Sequence, residues 1–387
     1  KDPVFASLSP DGSMLAFAQQ TGRMFNKSRQ LCIYTYVNAG LKCVEAPEEY
    51  MGYPVSLVWS PDNAYVVFTE NPVTLGYDSD IWILEAATGT ITNRTDDGIT
   101  GSYTTAAPGT ALVDYMPSWN TQDGLIYFWR VVPQGNGVFV LSLNRISPTE
   151  GDVETIGNMV GSLPGKLILY DTEAYFLDGM SAVSPDGTKI AAMFTDALAD
   201  PFAATRNGLY VIDISSGEIS DVSELADFVS FQSALPAFQY SPATPLGLSW
   251  TADSKGVLVA ASSPDTHTPL ILFYYVDVAS SEVTPVVDFS SYTDYDAFMA
   301  SDDGEIPARY YSPWTGSLAP AGDQLLMLSD LAGVASILAA PLPPTGELPA
   351  VIGSTDELIS SGGSSRSTRS SDGKLTMYGL QITVAEE

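Results

Sequence analysis

The sequence predicts an all-β fold, a β-propeller of four-stranded antiparallel blades, and three observations predict it. A turn signature centred on aspartate recurs seven times along 387 residues, a short apolar run follows each of the first six copies, and paired strand signals follow several of those runs. Repetition at a fixed structural unit, each too small to bury its own apolar face, points to an array of such units packed on one another.

The clearest copies of the turn are Ser9-Pro10-Asp11-Gly12, Ser60-Pro61-Asp62-Asn63 and Ser184-Pro185-Asp186-Gly187. Looser copies place their aspartates at Asp123, Asp253, Asp323 and Asp372, so the intervals run from 49 to 70 residues. Proline presets φ at the first corner, aspartate accepts from nearby backbone N–H groups, and glycine supplies positive φ.

The runs after the turns include Met14–Ala18, Tyr65–Phe68, Leu125–Phe128, Lys189–Met193, Val257–Ala260 and Leu325–Leu328. They are too short for helices and apolar on both faces, which predicts strands buried on both sides. Phe17, Phe68, Phe128 and Met193 are therefore expected between neighbouring blades. A strand, a short turn and another strand then follow, as in Ile81–Leu84 to Thr90–Thr92 and Leu209–Asp213 to Glu218–Ser220. One strand before the turn, one after it and a hairpin make four.

The Ser-Pro-Asp-Gly phrase, the apolar run and the Leu209–Asp213 hairpin ending in Ser216-Gly217-Glu218 resemble the WD40-like (PD40) repeat of TolB-type propellers. The resemblance covers nearly the whole chain and implies fold more than activity, because propellers host many unrelated functions.

The blades are expected at 4–46, 55–97, 115–157, 180–225, 246–289, 313–353 and 366–387, within a single domain spanning 1–387. The last is incomplete and would be closed by the N-terminal region; a six-bladed ring is the alternative.

Alternating strand direction puts the aspartate turns and hairpin turns at one end of the blades. The connections that lead into blades, and those between second and third strands, fall at the other. Long connections at 98–116, 158–181, 226–247 and 289–312 crowd that second end, where long loops carry function. Their aromatic residues Tyr170, Tyr175, Phe238, Tyr240, Tyr292, Tyr295 and Phe298 are candidates for partner binding. The same aromatics would equally serve to cap the mouth of the ring. No cofactor is expected. Asp294, Asp296, Asp302 and Asp303 are a candidate Ca2+ set, although they do not match an EF-hand, and Gly76-Tyr77-Asp78-Ser79-Asp80 is a weaker one.

Composition excludes several functions. Sixteen Lys and Arg against 46 Asp and Glu give a formal charge of −30, which disfavours nucleic acid and anionic lipid. A single histidine, His267, excludes a site needing two. No GxSxG elbow occurs. Paired carboxylates alone are weak evidence of a hydrolase or lyase in so acidic a chain. No apolar run is long enough to span a membrane. The expectation is a non-catalytic, exported binding or scaffold protein with protein partners in an envelope or cell-surface assembly. The alternative is a carbohydrate- or peptide-directed hydrolase or lyase using acids at the propeller mouth. Asn26-Lys27-Ser28 and Asn93-Arg94-Thr95 have the form of glycosylation sequons.

Cys32 and Cys43 flank the turn at Asn38-Ala39-Gly40 and favour a disulfide, with two buried free thiols as the alternative. A two-residue turn at Asn38-Ala39 would pair Cys32 with position 45 and leave Cys43 diagonal to it, unless the loop is longer or bulged.

Overall fold

A computed structural model describes residues 3–21, 28–47, 54–70, 78–99, 112–135, 138–158, 181–196, 206–217, 219–221, 248–262, 271–286, 315–318, 322–329, 336–346 and 349–354. Twenty-four strands, and no helix among the described residues, form six four-stranded antiparallel sheets. The class is the β-propeller. The segment expected to form a seventh blade, 366–387, lies outside the described residues.

Sheet 1 holds β1 (Pro3–Leu8), β2 (Met14–Thr21), β3 (Ser28–Thr35) and β4 (Gly40–Glu45). Sheet 2 holds β5 (Pro54–Trp59), β6 (Tyr65–Glu70), β7 (Ile81–Glu85) and β8 (Ile91–Asn93). Sheet 3 holds β9 (Val113–Trp119), β10 (Ile126–Gly135), β11 (Val138–Ile146) and β12 (Glu154–Asn158). Sheet 4 holds β13 (Ser181–Val183), β14 (Lys189–Asp196), β15 (Arg206–Asp213) and β16 (Ile219–Asp221). Sheet 5 holds β17 (Leu248–Trp250), β18 (Gly256–Ser262), β19 (Ile271–Asp277) and β20 (Val283–Pro285). Sheet 6 holds β21 (Thr315–Leu318), β22 (Gln324–Ser329), β23 (Ser336–Pro341) and β24 (Ala350–Ser354). Within each sheet the strands lie in sequence order.

The chain divides into two compact units, Lys1–Val257 with Asp277–Glu282, and Leu258–Val276 with Val283–Glu387. In the first unit the leading strands stand side by side: β1 by β5, β5 by β9, β9 by β13, and β13 by β17. In the second, sheet 6 buries Leu325, Met327, Leu338 and Ala340.

Four of the aspartate turns, those of sheets 1, 2, 4 and 5, are built alike. Ser9 Oγ donates to Asp11 Oδ1 at 2.7 Å and accepts from Met14 N at 2.9 Å, while Asp11 Oδ1 accepts from Ser13 N at 2.9 Å. Ser60 with Asp62, Ser184 with Asp186 and Thr251 with Asp253 repeat the arrangement. Sheet 3 keeps the aspartate, with Asp123 Oδ1 accepting from Leu125 N at 2.9 Å, but has Asn120 in place of the hydroxyl residue, its Oδ1 accepting from Gln122 N at 2.9 Å. Proline is dispensable too, since Ala252 stands in its place in sheet 5. Positive φ falls on Gly12, Asn63, Gly124, Gly187 and Ser254 at the end of these turns.

The residue just before the turn bolts one sheet to the one before it. Trp59 Nε1 donates to Ser7 O at 2.9 Å, Trp119 Nε1 to Val58 O at 3.0 Å, and Trp250 Nε1 to Ala182 O at 2.8 Å. Each acceptor sits one residue before the corresponding position of the preceding sheet. Sheet 4 has Val183 where a tryptophan would be. There the bond is made in reverse chemistry, with Val183 N donating to Ser118 Oγ at 3.0 Å.

Packing explains the two-faced apolar runs. Sheet 2 is covered on both sides: Val66, Phe68, Trp82 and Leu84 meet Ala16, Leu31 and Ile33 of sheet 1. Val67, Ile81 and Ile83 meet Trp119, Ile126, Phe128 and Ile146 of sheet 3. Alternation along a strand divides the two sets. Phe68 and Phe128 are fully buried as expected, but Phe17 is only half-buried. Ala16 takes the face toward sheet 2, so Phe17 is turned to the opposite face. The Met193 side chain lies outside the described residues.

The disulfide forms, Cys32 to Cys43, with Cα atoms 4.1 Å apart. Of the two turns open to the hairpin, the longer one forms. Thr35 pairs with Gly40 and Cys32 directly with Cys43, because the loop is four residues long, Tyr36–Ala39. Ala39 adopts φ of 52°, and Asn38 Oδ1 accepts from Gly40 N at 2.9 Å. Thiol titration of the denatured, unreduced protein should find no free cysteine, and two would contradict the pairing. Cys43→Ser should cost no more than about 3 kcal/mol, given the short loop the bond closes.

Candidate functional site

The end of the blades that carries the long connections is where a site was expected. Tyr170, Tyr175, Phe238, Tyr240, Tyr292, Tyr295, Phe298, Asp294, Asp296, Asp302, Asp303 and His267 all lie outside the described residues. The connection expected over 98–116 lies earlier in the chain, between the end of β8 at Asn93 and the start of β9 at Val113. What the structure describes at this end is the joint between sheets 2 and 3.

Backbone stitches the joint first. Ser79, just ahead of β7, forms a parallel bridge with Val113 at the start of β9. Asp114 N donates to Ser79 O at 2.7 Å, Ser79 N to Leu112 O at 3.3 Å, and Ser79 Oγ to Asp114 O at 3.0 Å. The chain leaving β8 closes over the same point, where Arg94 N donates to Ile81 O at 2.8 Å.

Ionisable side chains then fill it. Asp80 Oδ2 accepts from Asn93 Nδ2 at 2.7 Å and its Oδ1 lies 3.2 Å from Thr95 Oγ1. Thr95 Oγ1 also accepts from Ile81 N at 2.9 Å. Asp114, cross-strand partner of Arg130, takes its Nε and a terminal nitrogen in two bonds of 2.7 Å. Asp97 accepts from Ile99 N at 2.8 Å and from Leu112 N at 3.4 Å. Asp78, Asp80, Thr95 and Asp114 are all buried.

Burial dominates the electrostatics. It pushes the Asp80 carboxyl up to about 7; the Asn93 hydrogen bond opposes the shift, and the charges of Asp114 and Asp97 add to it. Burial also pushes Asp114 upward, against the Arg130 hydrogen bonds and charge that favour its ionised form. A carboxyl that titrates near neutrality can exchange a proton at working pH. Asp80 is, however, only 3% exposed and lies beneath Asn93 and Thr95.

Two expectations change here. Asp78 and Asp80 belong to a buried hydrogen-bonded joint, and no group of His, Cys, Asp and Glu among the described residues is arranged to hold a metal ion. Asn93-Arg94-Thr95 has the form of a sequon, but its Asn93 amide and Thr95 hydroxyl are committed to Asp80. Sequence reasoning missed Asp114 and Arg130 altogether. The signal was present: one acid in the run Val113–Met116 and one base in the run Ile126–Val132 are charges on core strands, and buried charges come paired.

No family model and no curated protein sequence matches the chain. Among solved structures, the β-propeller domain of the trilobed protease from Pyrococcus furiosus aligns over 91% of this chain and 86% of its own, at 11% identity and a TM-score of 0.45. A protein assigned as TolB from Agrobacterium tumefaciens aligns over 83% and 87%, at 12% identity and 0.41. Puromycin hydrolase aligns over 91% of this chain and 47% of its own, at 14% identity and 0.49. No activity or partner follows from likenesses this distant.

Arg130→Met should destabilise the fold by about 3–5 kcal/mol in chemical denaturation, because it strands the buried Asp114 charge. Adding Asp114→Leu should restore most of that loss. A single variant within about 1 kcal/mol of the parent would contradict the pairing.

Proposed function

We propose that this chain is a non-catalytic binding or scaffold protein, an exported propeller of PD40-like repeats that holds protein partners in an envelope or cell-surface assembly. The observation that carries this reading is how the described part of the loop-bearing end uses its ionisable groups. Asp114 is consumed by Arg130, and Asp80 by Asn93 and Thr95, so these carboxylates hold backbone segments together instead of facing a substrate. The Ser-x-Asp turn, repeated in sheets 1, 2 and 4 with threonine for serine in sheet 5, supports the repeat assignment. The disulfide supports export, because such bonds persist in oxidising compartments. The −30 charge favours a protein partner over nucleic acid. In this reading the partner meets the aromatic insertions, through residues such as Tyr170, Tyr240 and Tyr295.

One observation favours the rival hydrolase or lyase reading. Asp80 holds its proton up to about pH 7, as a general acid must.

Photo-crosslinking in the native host separates the two. Probes at Tyr170, Tyr240 and Tyr295 should capture one and the same protein, while probes at Ser13 and Thr188, in the aspartate turns of the other end, should not. Equal capture from both ends would overturn the binding reading. So would turnover of a peptide or glycoside that Asp80→Asn abolishes.

A further inference from the structure

We propose that β24, the last strand of sheet 6, is a docking strand whose free edge takes an extended segment of a protein partner, one with apolar side chains at alternate residues and Lys or Arg on either side of them. β24 ends the order β21-β22-β23-β24, so among the described residues one of its edges has no strand beside it. A row of backbone N–H and C=O groups without cross-strand partners is a template for a further strand. The neighbouring strand is a firm platform, since Leu338, Ala339 and Ala340 of β23 are buried. Docking here is independent of the aromatic insertions: either surface can bind without the other.

The last strands of the other sheets are guarded. β8, β16 and β20 have 3 residues each, and β20 ends in Pro285. β4 carries Lys42 and Glu45, and β12 carries Glu154. Short length, charge and proline are the devices that keep an edge from pairing. β24 has 5 residues, Ala350–Ser354, with neither charge nor proline among them. β12 is an internal control, because both strands bulge at an Ile-Gly pair. The register jumps from Thr155 to Gly157 on β12 and from Val351 to Gly353 on β24, leaving Ile156 and Ile352 as the extra residues. Ile156 is half-buried, whereas Ile352 is 57% exposed and Val351 beside it 55%. Leu8, Val37 and Leu41 are the other large apolar side chains exposed among the described residues, and no two of them are neighbours in the chain.

Charge selects the occupant. In sequence, Glu347 precedes β24, and Asp356 and Glu357 follow it. Covalent reach keeps these charges on the order of 10 Å from the ends of the strand, about one Debye length. Pairing with β24 of a second copy would set acid against acid. Antiparallel strands would bring Glu347 of one copy toward Asp356 and Glu357 of the other, and parallel strands would bring like to like at both ends. The formal charge of −30 on each chain adds to that repulsion. A partner strand with basic residues at both ends meets opposite charge in either direction, and its alternate apolar side chains lie beside Val351 and Ile352.

The probe is a short peptide of alternating Thr and Val with Lys at both ends, titrated into the full chain by fluorescence anisotropy. It should bind saturably and slow hydrogen exchange at the amides of Ile352 and Gly353. Ile352→Lys, a change at an exposed side chain, should weaken binding about ten-fold, and so should replacing both Lys of the peptide by Glu. Methylating the backbone nitrogens of the peptide keeps its side chains, removes its donors and should abolish binding. Three outcomes would each overturn the proposal: no saturable binding of the Lys-flanked peptide, equal binding of the Glu-flanked one, or undiminished binding of the methylated one. A dimer in sedimentation that Ile352→Lys dissociates would overturn it as well, by giving the edge to a second copy. The methylated peptide needs no variant, so the test stands even if Ile352→Lys does not fold.

Discussion

The indole N–H at the end of a leading strand sets how one sheet registers against the next. Apolar contact between sheets is strong but has no direction, so on its own it permits a slide of one sheet along its neighbour. The bonds from Trp59 to Ser7 O, Trp119 to Val58 O and Trp250 to Ala182 O remove that freedom, since each joins equivalent positions of successive sheets. The turn that follows makes the bond repeatable. Its first residue, Ser60, Asn120 or Thr251, stands directly after the tryptophan and donates its N–H across the turn to Tyr65 O, Leu125 O or Gly256 O, so the side chain starts from the same place each time. Sheet 4 lacks the tryptophan and keeps a bond at the same level, through Ser118 Oγ and Val183 N. The position of the link is more constant than the residue that makes it.

Much of this architecture was legible in the sequence. Turn chemistry gave the repeat, and apolar runs with no polar alternation gave strands covered on both sides, as in Val66–Phe68 and Ile81–Leu84. Phe17 was misread because sequence shows which residues are apolar but not which face a neighbouring sheet covers. Sequence alone leaves the hairpin register of Cys32 and Cys43 open, because the loop length depends on Ala39 taking positive φ, a conformation that no composition rule assigns to alanine. Tryptophan before the turn was visible at three copies, yet its meaning depends on a carbonyl some fifty to seventy residues away.

The joint at Asp80 was the least legible part. Its carboxylates looked like an oxygen-ligand motif when read along the chain. In space Asp80 meets Asn93 and Thr95 from the end of sheet 2, beside the pair Asp114–Arg130 of sheet 3, and these residues share no local pattern with it. Burial then reverses the ordinary chemistry of an acid-rich chain. At the surface, aspartates such as Asp11, Asp62 and Asp213 are held below their usual range by serine and backbone donors. Beneath the loops, Asp80 is held above it. A single composition, strongly acidic throughout, thus supplies both the turns that build the repeat and the buried joint between sheets 2 and 3.

The most direct test of the cross-sheet bond is to replace Trp119 with benzothienylalanine, which keeps the shape of the indole and lacks its N–H. Packing in the core shared by sheets 2 and 3 is then preserved, and Val58 O loses its donor. The measurement is unfolding free energy by chemical denaturation. A loss of about 1 kcal/mol is expected for a part-buried carbonyl deprived of its donor. Stability unchanged within about 0.3 kcal/mol would show that apolar contact alone holds the sheets in register, and would contradict the account.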